Sequence, residues 1–108
     1  MKNVKLVTFV PMSHADVVRK AMGDAGAGIE GKYIHCSFST KGTGRFSPQP
    51  GSNPTIGTVG KFEEVEEERI EVTCEEKDIK KIIAAIKSVH PYEEVPINIY
   101  PLLSTEEL

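Results

Sequence analysis

The first apolar run of the chain constrains the fold more than any other segment. It covers residues 4–10 and ends at a proline. Successive side chains of a strand point to opposite faces, so residues of one parity share a face. Apolar residues occupy both parities of this run, namely Val4, Leu6 and Val10 on one and Val7 and Phe9 on the other. We therefore predict a central strand that is covered on both faces.

Two helical and three further strand patterns follow. Ser13 and Asp16 form a capping-box-like start, which predicts a helix that stops at Gly26 or Gly28. Residues 75–89 carry isoleucines on one helical face and lysines on the other. The predicted strands cover residues 33–40, 59–74 and 95–99. The apolar parity of the third strand changes, so we expect a β-bulge or a break near residues 66–68.

The order βαββαβ predicts one α+β domain over residues 1–108. Right-handed crossovers favour a ferredoxin-like sandwich with an antiparallel sheet in the order 4-1-3-2. Pro96 agrees with an edge position for the fourth strand. Two helices cover one face of such a sheet, yet the first strand is apolar on both faces. We therefore predict a homo-oligomer in which another subunit covers the second face.

Charge and hydropathy limit the classes of partner. The net charge of −3, without a basic run, argues against nucleic-acid binding. The early apolar run contains Lys5 and Thr8 and is far shorter than a membrane span. We expect a cytoplasmic protein without membrane association, in which Cys36 and Cys74 remain thiols.

Residues 41–57 are rich in Gly and Pro, which predicts a long flexible loop. Loops of this length in a compact domain are usually functional. Gly42, Gly44 and Arg45 offer backbone N–H groups and a guanidinium, so an anion is one candidate ligand. The glycine spacing is not that of a nucleotide-binding motif. Contact with a protein partner is the other role that we consider for this loop.

The segment from His90 to Glu94 carries more ligand chemistry than a turn needs. The predicted strand order places His14 close to it, because the first and fourth strands are neighbours. Imidazoles and carboxylates suit a divalent transition metal such as zinc or copper. The candidate ligands are His14, His35, His90, Glu93 and Glu94. By strand parity, His35 reaches this site only across a subunit interface or through a twist of its strand.

Each candidate also has a structural interpretation. His90 is placed to cap a helix C-terminus, where an imidazole favours the helix dipole. Glu93 and Glu94 fit a solvated turn, and His14 an exposed first helical turn. Cys36 has core parity, so it is either a buried thiol or, with a local bulge, a ligand. A nucleophilic pair of Cys36 and His35 is disfavoured, because adjacent strand residues point to opposite faces.

Six motifs, in order along nearly the whole chain, resemble the domain inserted into Nif-three-like dinuclear metal-centre proteins of the YqfO type. They are Phe9 to His14, Ala25 to Gly28, Tyr33 to Ser39, Gly42 to Gly44, Asn53 to Gly57 and His90 to Glu94. That inserted domain is similar to PII signalling proteins and to CutA, so the resemblance implies a ferredoxin-like fold and a trimer in preference to a dimer. CutA-like proteins are linked with divalent metals. PII relatives meet partners through the loop that corresponds to residues 41–57.

The flanking halves that carry the dinuclear site of the larger proteins have no counterpart in this sequence. We therefore expect a stand-alone domain without their hydrolase activity. The first hypothesis is a non-catalytic, oligomeric PII/CutA-like protein, regulatory in role, that binds a divalent metal or a small ligand near His90. The second is a nucleotide or anion sensor that uses Gly42, Gly44 and Arg45. An enzyme that uses Cys36 or His90 is disfavoured.

Overall fold

The computed structural model describes residues 2–108. Its helices and strands are β1 (Asn3–Pro11), α1 (Ala15–Asp24), β2 (Phe38–Phe46), β3 (Glu63–Glu75), α2 (Ile79–Val89) and β4 (Ile97–Pro101). Short 3-10 turns precede both helices, and a third one covers Thr105–Glu107. The strands form one antiparallel sheet in the order β2-β3-β1-β4. The predicted α+β, ferredoxin-like order is therefore confirmed.

The hydrophobic core lies between the two helices and one face of the sheet. Helical spacing of three to four residues places the apolar side chains of each helix on one side. The largest fully buried aliphatic residues of this layer are Leu6 and Val10 of β1, Val18 and Met22 of α1, Ile70 of β3, and Ile82 and Ile86 of α2. Burial of one such side chain stabilises the fold by about 1.5–3 kcal/mol.

We call the sheet face without helices the outer face. Val7 is fully buried there, next to the paired charges of Lys5 and Glu71, whose atoms Nζ and Oε2 lie 3.5 Å apart. Phe38 at one sheet edge is 65% exposed, and Tyr100 at the other edge is 45% exposed. The predicted central position of β1 is confirmed, because it lies between β3 and β4. The outer face keeps large exposed aromatic side chains at both edges.

The register of β3 is unbroken over residues 63–71 against β2 and over residues 67–75 against β1. The predicted bulge or break near residues 66–68 is therefore wrong. By parity Val65 faces the outer face, whereas Glu68 and Ile70 face the helices. The change of apolar parity arises because the β2–β3 ribbon extends beyond the helices, where the helical side of β3 no longer meets a core.

Strand β2 covers residues 38–46 instead of the predicted 33–40. Residues 41–46 pair with β3, so the predicted loop over 41–57 is wrong in its first part, and the irregular segment covers residues 47–62. Pairing with the long β3 satisfies the backbone of this glycine-rich stretch. Strand β4 begins at Ile97, so Pro96 precedes the edge strand. The Pro96 carbonyl accepts a hydrogen bond from Thr8 Oγ1 at 2.8 Å.

Within residues 2–108, no helix combines the length and the apolar character needed to cross a membrane.

Candidate functional site

His90 follows α2, and its ring turns back into the protein, where the residue is 7% exposed. Its Nε2–H donates to the Phe9 carbonyl of β1 at 2.7 Å. Its Nδ1 accepts the backbone N–H of Tyr92 at 3.1 Å. A neutral imidazole has one donor and one acceptor nitrogen, so these two partners fix the tautomer. Both ring nitrogens of His90 are therefore engaged by the backbone.

Burial lowers the pKa of His90 from its ordinary value of 6.5, because desolvation disfavours the imidazolium. The charge of His14 lowers the pKa further, while the Phe9 carbonyl and Glu67 oppose the shift. The neutral ring agrees with its role as donor and acceptor to the main chain.

Acid should destabilise the fold through His90. Between the lowered native pKa and 6.5, the unfolded chain binds more protons than the native one, so the free energy of unfolding decreases as the pH falls through this window. Urea unfolding of the wild type at pH 7.5 and at steps down to 5.5 measures this loss. We expect His90→Gln to remove it and His14→Gln to keep it. An equal loss in wild type and His90→Gln would assign the pH dependence to other groups.

Tyr92 joins this turn to the outer face of the sheet. Its Oη–H donates to Glu67 Oε2 at 2.6 Å. Burial, and after it this carboxylate, raises the pKa of Tyr92 well above its ordinary value of 10.0, so the phenol stays a donor. Gly44 leaves space for the Glu67 side chain, because a Cβ at position 44 would overlap with the carboxylate. A glycine inside a strand often marks such a close approach.

The irregular segment 47–62, which we call the flap, is fastened to the turn 90–94. The backbone N–H of Asn53 donates to Glu93 Oε2 at 3.0 Å, and Thr55 Oγ1 donates to the Pro91 carbonyl at 2.6 Å. The rings of Phe46 and Tyr92 lie 6.5 Å apart between their centroids. The flap thus folds back over the turn.

A cavity of about 430 Å³ lies where the flap, the turn and the outer face meet. Most of its lining is apolar and includes Phe9, Phe46, Pro54, Ile56, Tyr92 and Pro96. Its charged lining residues are Arg45, Glu67, Glu93 and Glu94. Small-molecule sites are typically cavities of about 300–1,000 Å³ with an apolar lining and a few polar groups. The size and the lining of this cavity match that class of site.

The five predicted metal ligands do not form a metal site within one chain. In the part of the chain that the structure describes, no three His, Cys, Asp or Glu side chains form a cluster suited to a metal ion. His90 is engaged through both nitrogens, and Glu93 accepts from Asn53. The Nδ1 of His14 lies 2.8 Å from Ser13 Oγ. Glu94 lines the cavity. Within one chain the described residues therefore do not group around a common point, and the zinc or copper site stays a prediction.

His35 and Cys36 lie beside the end of α1, outside β2. His35 adopts the left-handed backbone conformation with a φ of 59°, and its Nε2 lies 3.2 Å from Asp24 Oδ1. Its ring packs on Gly23, where a Cβ would overlap with it. Cys36 donates its backbone N–H to the Gly28 carbonyl at 2.9 Å. The strand predicted over 33–40 is wrong at these residues, so strand parity does not direct either side chain.

The anion site at Gly42, Gly44 and Arg45 stays a prediction, but the loop in which it was placed is wrong at these residues. All three residues belong to β2 and pair with β3. The Arg45 guanidinium lies 3.7 Å from Glu64, at Nη2 and Oε2.

Glu67 and the aromatic lining were missed by the sequence interpretation. Glu67 lies in an acidic run over residues 63–68, in which no single carboxylate is distinguished by its neighbours. Phe9 was assigned to the outer face but not to a site. One signal was available, since two glycines in a strand that pairs with an acidic strand indicate close side-chain approach across the sheet.

The comparisons with known proteins agree with this geometry. No family model matches the chain. A protein of Halalkalibacterium halodurans named GTP cyclohydrolase 1 type 2 homolog is 50% identical over 103 residues, which are 95% of this chain and 28% of that protein. Its Bacillus subtilis counterpart is 46% identical over 94% of this chain and 27% of that protein. A solved Bacillus cereus protein related to NIF3 superposes with a TM-score of 0.84 at 48% identity, over 95% of this chain and 26% of that one.

The chain is homologous to one segment of the Nif-three-related proteins. The resemblance inferred from the six motifs is thus confirmed. The chain spans about a quarter of the length of the curated relatives it matches, at 28% and 27% of the first two.

The CutA likeness concerns the fold of this Nif-three-related segment. The periplasmic divalent cation tolerance protein CutA of Archaeoglobus fulgidus superposes with a TM-score of 0.70 at 16% identity, over 98% of this chain and 91% of that one. The PII-like protein CutA of Nostoc superposes with a TM-score of 0.69 at 16% identity, over 99% and 88%. These identities are low, so the match shows the fold alone. The predicted PII/CutA-like fold is confirmed.

Proposed function

We propose that this chain is a non-catalytic, oligomeric PII/CutA-like regulatory domain that binds a small organic ligand between the flap, the turn 90–94 and the outer face. The observation that carries the proposal is the cavity of about 430 Å³ with its apolar lining. Asn53 and Thr55 connect the flap to this turn directly. A ligand in the cavity would therefore change how firmly the flap is held, and the flap is the surface offered to a protein partner.

The chemistry of the lining favours an organic ligand over a nucleotide. Glu67, Glu93 and Glu94 contribute three carboxylates, and a phosphate placed among them would be repelled. The Arg45 side chain is paired with Glu64. Aromatic and proline side chains offer an apolar surface to the body of a small molecule.

A non-catalytic role is supported by the use that the fold makes of His90. A histidine that acts as a general base needs a ring nitrogen free to reach the substrate proton. The His90 ring instead joins the Phe9 carbonyl of β1 to the Tyr92 N–H of the turn. Its neutral state under burial fits this structural role.

Filling the cavity should abolish ligand binding. Ser52 lies on the flap and lines the cavity, so we expect Ser52→Trp to occupy the space with an indole. A mixture of small aromatic compounds is titrated into ¹⁵N-labelled protein, and the amide shifts of Gly44, Asn53 and Thr55 are followed. The control is Ser88→Trp, at an exposed position of α2. The compounds should shift these amide resonances equally in wild type and in Ser88→Trp, and should leave them unchanged in Ser52→Trp. Shifts in Ser52→Trp as large as in wild type, or shifts confined to other residues, would refute the cavity as the site.

The outer face is the proposed subunit interface, and the resemblance to CutA favours a trimer over a dimer. Exposed Phe38 and Tyr100 at its edges support an apolar contact. We expect sedimentation equilibrium to give a multiple of the chain mass for wild type and the mass of one chain for Phe38→Glu. The control Phe62→Glu, at a flap residue that is 92% exposed, should keep the wild-type mass. A monomeric wild type at high micromolar concentration, or an unchanged Phe38→Glu, would contradict this interface.

A further inference from the structure

We infer that the cavity selects an organic cation, a protonated amine or guanidine attached to an apolar body. The inference rests on the proposed function, because it names the ligand class of the same site. It combines three features of the described residues, which are the charge of the lining, its aromatic surface and the position of one carboxylate.

The charge of the cavity is negative. Glu67, Glu93 and Glu94 line it, against one guanidinium, that of Arg45. Arg45 lies 3.7 Å from the carboxylate of Glu64, which offsets its charge. The carboxylates are distributed over two elements, β3 and the turn, so a cation between them would be attracted from both sides.

The aromatic lining suits the same ligand class. Phe9, Phe46 and Tyr92 expose ring surface to the cavity, and cations bind the faces of aromatic rings at about 6 Å or less. This sheet already contains one such pair, since Cζ of Arg69 lies 5.7 Å from the Phe9 ring centroid. The charge of Arg69 is offset by Glu71, with Nη2 2.9 Å from Oε1. The rings also accommodate the apolar body of an amine.

Glu67 is the anchoring carboxylate. Tyr92 holds its Oε2, and Gly44 leaves space for the carboxylate to lie against β2. Within residues 2–108, Tyr92 is the hydrogen-bond donor to this side chain, which leaves Oε1 with its acceptor capacity. An ammonium N–H donating to Oε1 would make a charge-assisted hydrogen bond beside the three rings.

Three probes that share a phenylethyl body separate charge from shape. They are 2-phenylethylammonium, 2-phenylethanol and 3-phenylpropionate, each titrated into ¹⁵N-labelled wild-type protein. We expect the ammonium to bind about tenfold more tightly than the alcohol, the difference that one charge-assisted hydrogen bond supplies, and the carboxylate most weakly. Glu67→Gln should remove the preference for the ammonium and leave binding of the alcohol unchanged. Glu66→Gln, at an exposed neighbour on the opposite sheet face, should keep the wild-type preference.

The results distinguish the two proposals. Equal affinities, tighter binding of the propionate, or a preference that survives in Glu67→Gln would overturn the inference of a cation while leaving the cavity as a ligand site. Absence of shifts at cavity amides with all three probes would overturn the cation and the proposed function together.

Discussion

His90→Ala should lower the free energy of unfolding by about 2–4 kcal/mol, since a buried polar group left without a partner costs about 1–3 kcal/mol. The substitution leaves two such groups, the Phe9 carbonyl and the Tyr92 N–H, each of which now bonds the imidazole. It also removes the link between β1 and the turn that carries Tyr92. We therefore expect weaker attachment of the flap together with the loss of stability.

Urea unfolding at pH 7.5 measures this loss, with His14→Ala as the matched control. His14 contacts Ser13 Oγ at the surface, so its removal should change the free energy of unfolding by less than about 0.5 kcal/mol. A His90→Ala protein as stable as wild type, with zinc binding lost, would instead support the metal-ligand interpretation of His90.

Gly28→Ala should lower the free energy of unfolding by about 3–5 kcal/mol, because backbone strain adds to a steric overlap that cannot relax. Gly28 has a φ of 80°, and an added Cβ would overlap with the Cys36 carbonyl oxygen and lie 2.7 Å from the Cys36 nitrogen. The two backbones are held together by the Cys36 N–H bond to the Gly28 carbonyl at 2.9 Å. The Gly28 N–H donates to the Thr73 carbonyl of β3 at 2.9 Å.

Gly31→Ala separates the two causes. Gly31 also has a positive φ, 57°, but no atom lies within 4 Å of its added Cβ. Gly31→Ala should therefore lower the free energy of unfolding by about 1 kcal/mol, the strain of a left-handed alanine alone. Chemical denaturation of both variants gives the comparison. Losses of similar size at the two positions would show that the close approach of Cys36 does not contribute.

Local periodicity was sufficient to predict the core, and together with the right-handed crossover rule it gave the strand order. The two apolar parities of residues 4–10 identified β1 as a central strand, and the isoleucines of 79–89 placed α2 on the sheet. These patterns are read within a few residues, so they need no tertiary information.

The position of β2 could not be predicted in the same way. Residues 41–46 contain Gly42 and Gly44, which are unfavourable in strands, and they are extended because the long β3 pairs with them. Residues 33–37 alternate like a strand but lack a pairing partner in the sheet. The backbone there turns at His35, with its positive φ, to pass Gly28.

The sequence singled out the turn 90–94, part of which lines the cavity, but not the contacts that shape the cavity. The topology placed His14 near His90, yet the direction of the His90 ring depends on the Phe9 carbonyl, 81 residues earlier. The Glu67 contact with Tyr92 likewise depends on the space left by Gly44 in another strand. Residue types in one turn do not contain that information.

The central claim is that the cavity, and not a metal cluster around His90, is the functional site. A crystal structure of the protein soaked in zinc together with the three phenylethyl probes, recorded at the zinc absorption edge, tests it most directly. We predict a phenyl group between Phe46 and Tyr92, and His90 still bonded to Phe9 and Tyr92. An anomalous zinc peak coordinated by His90, with an empty cavity, would contradict the account.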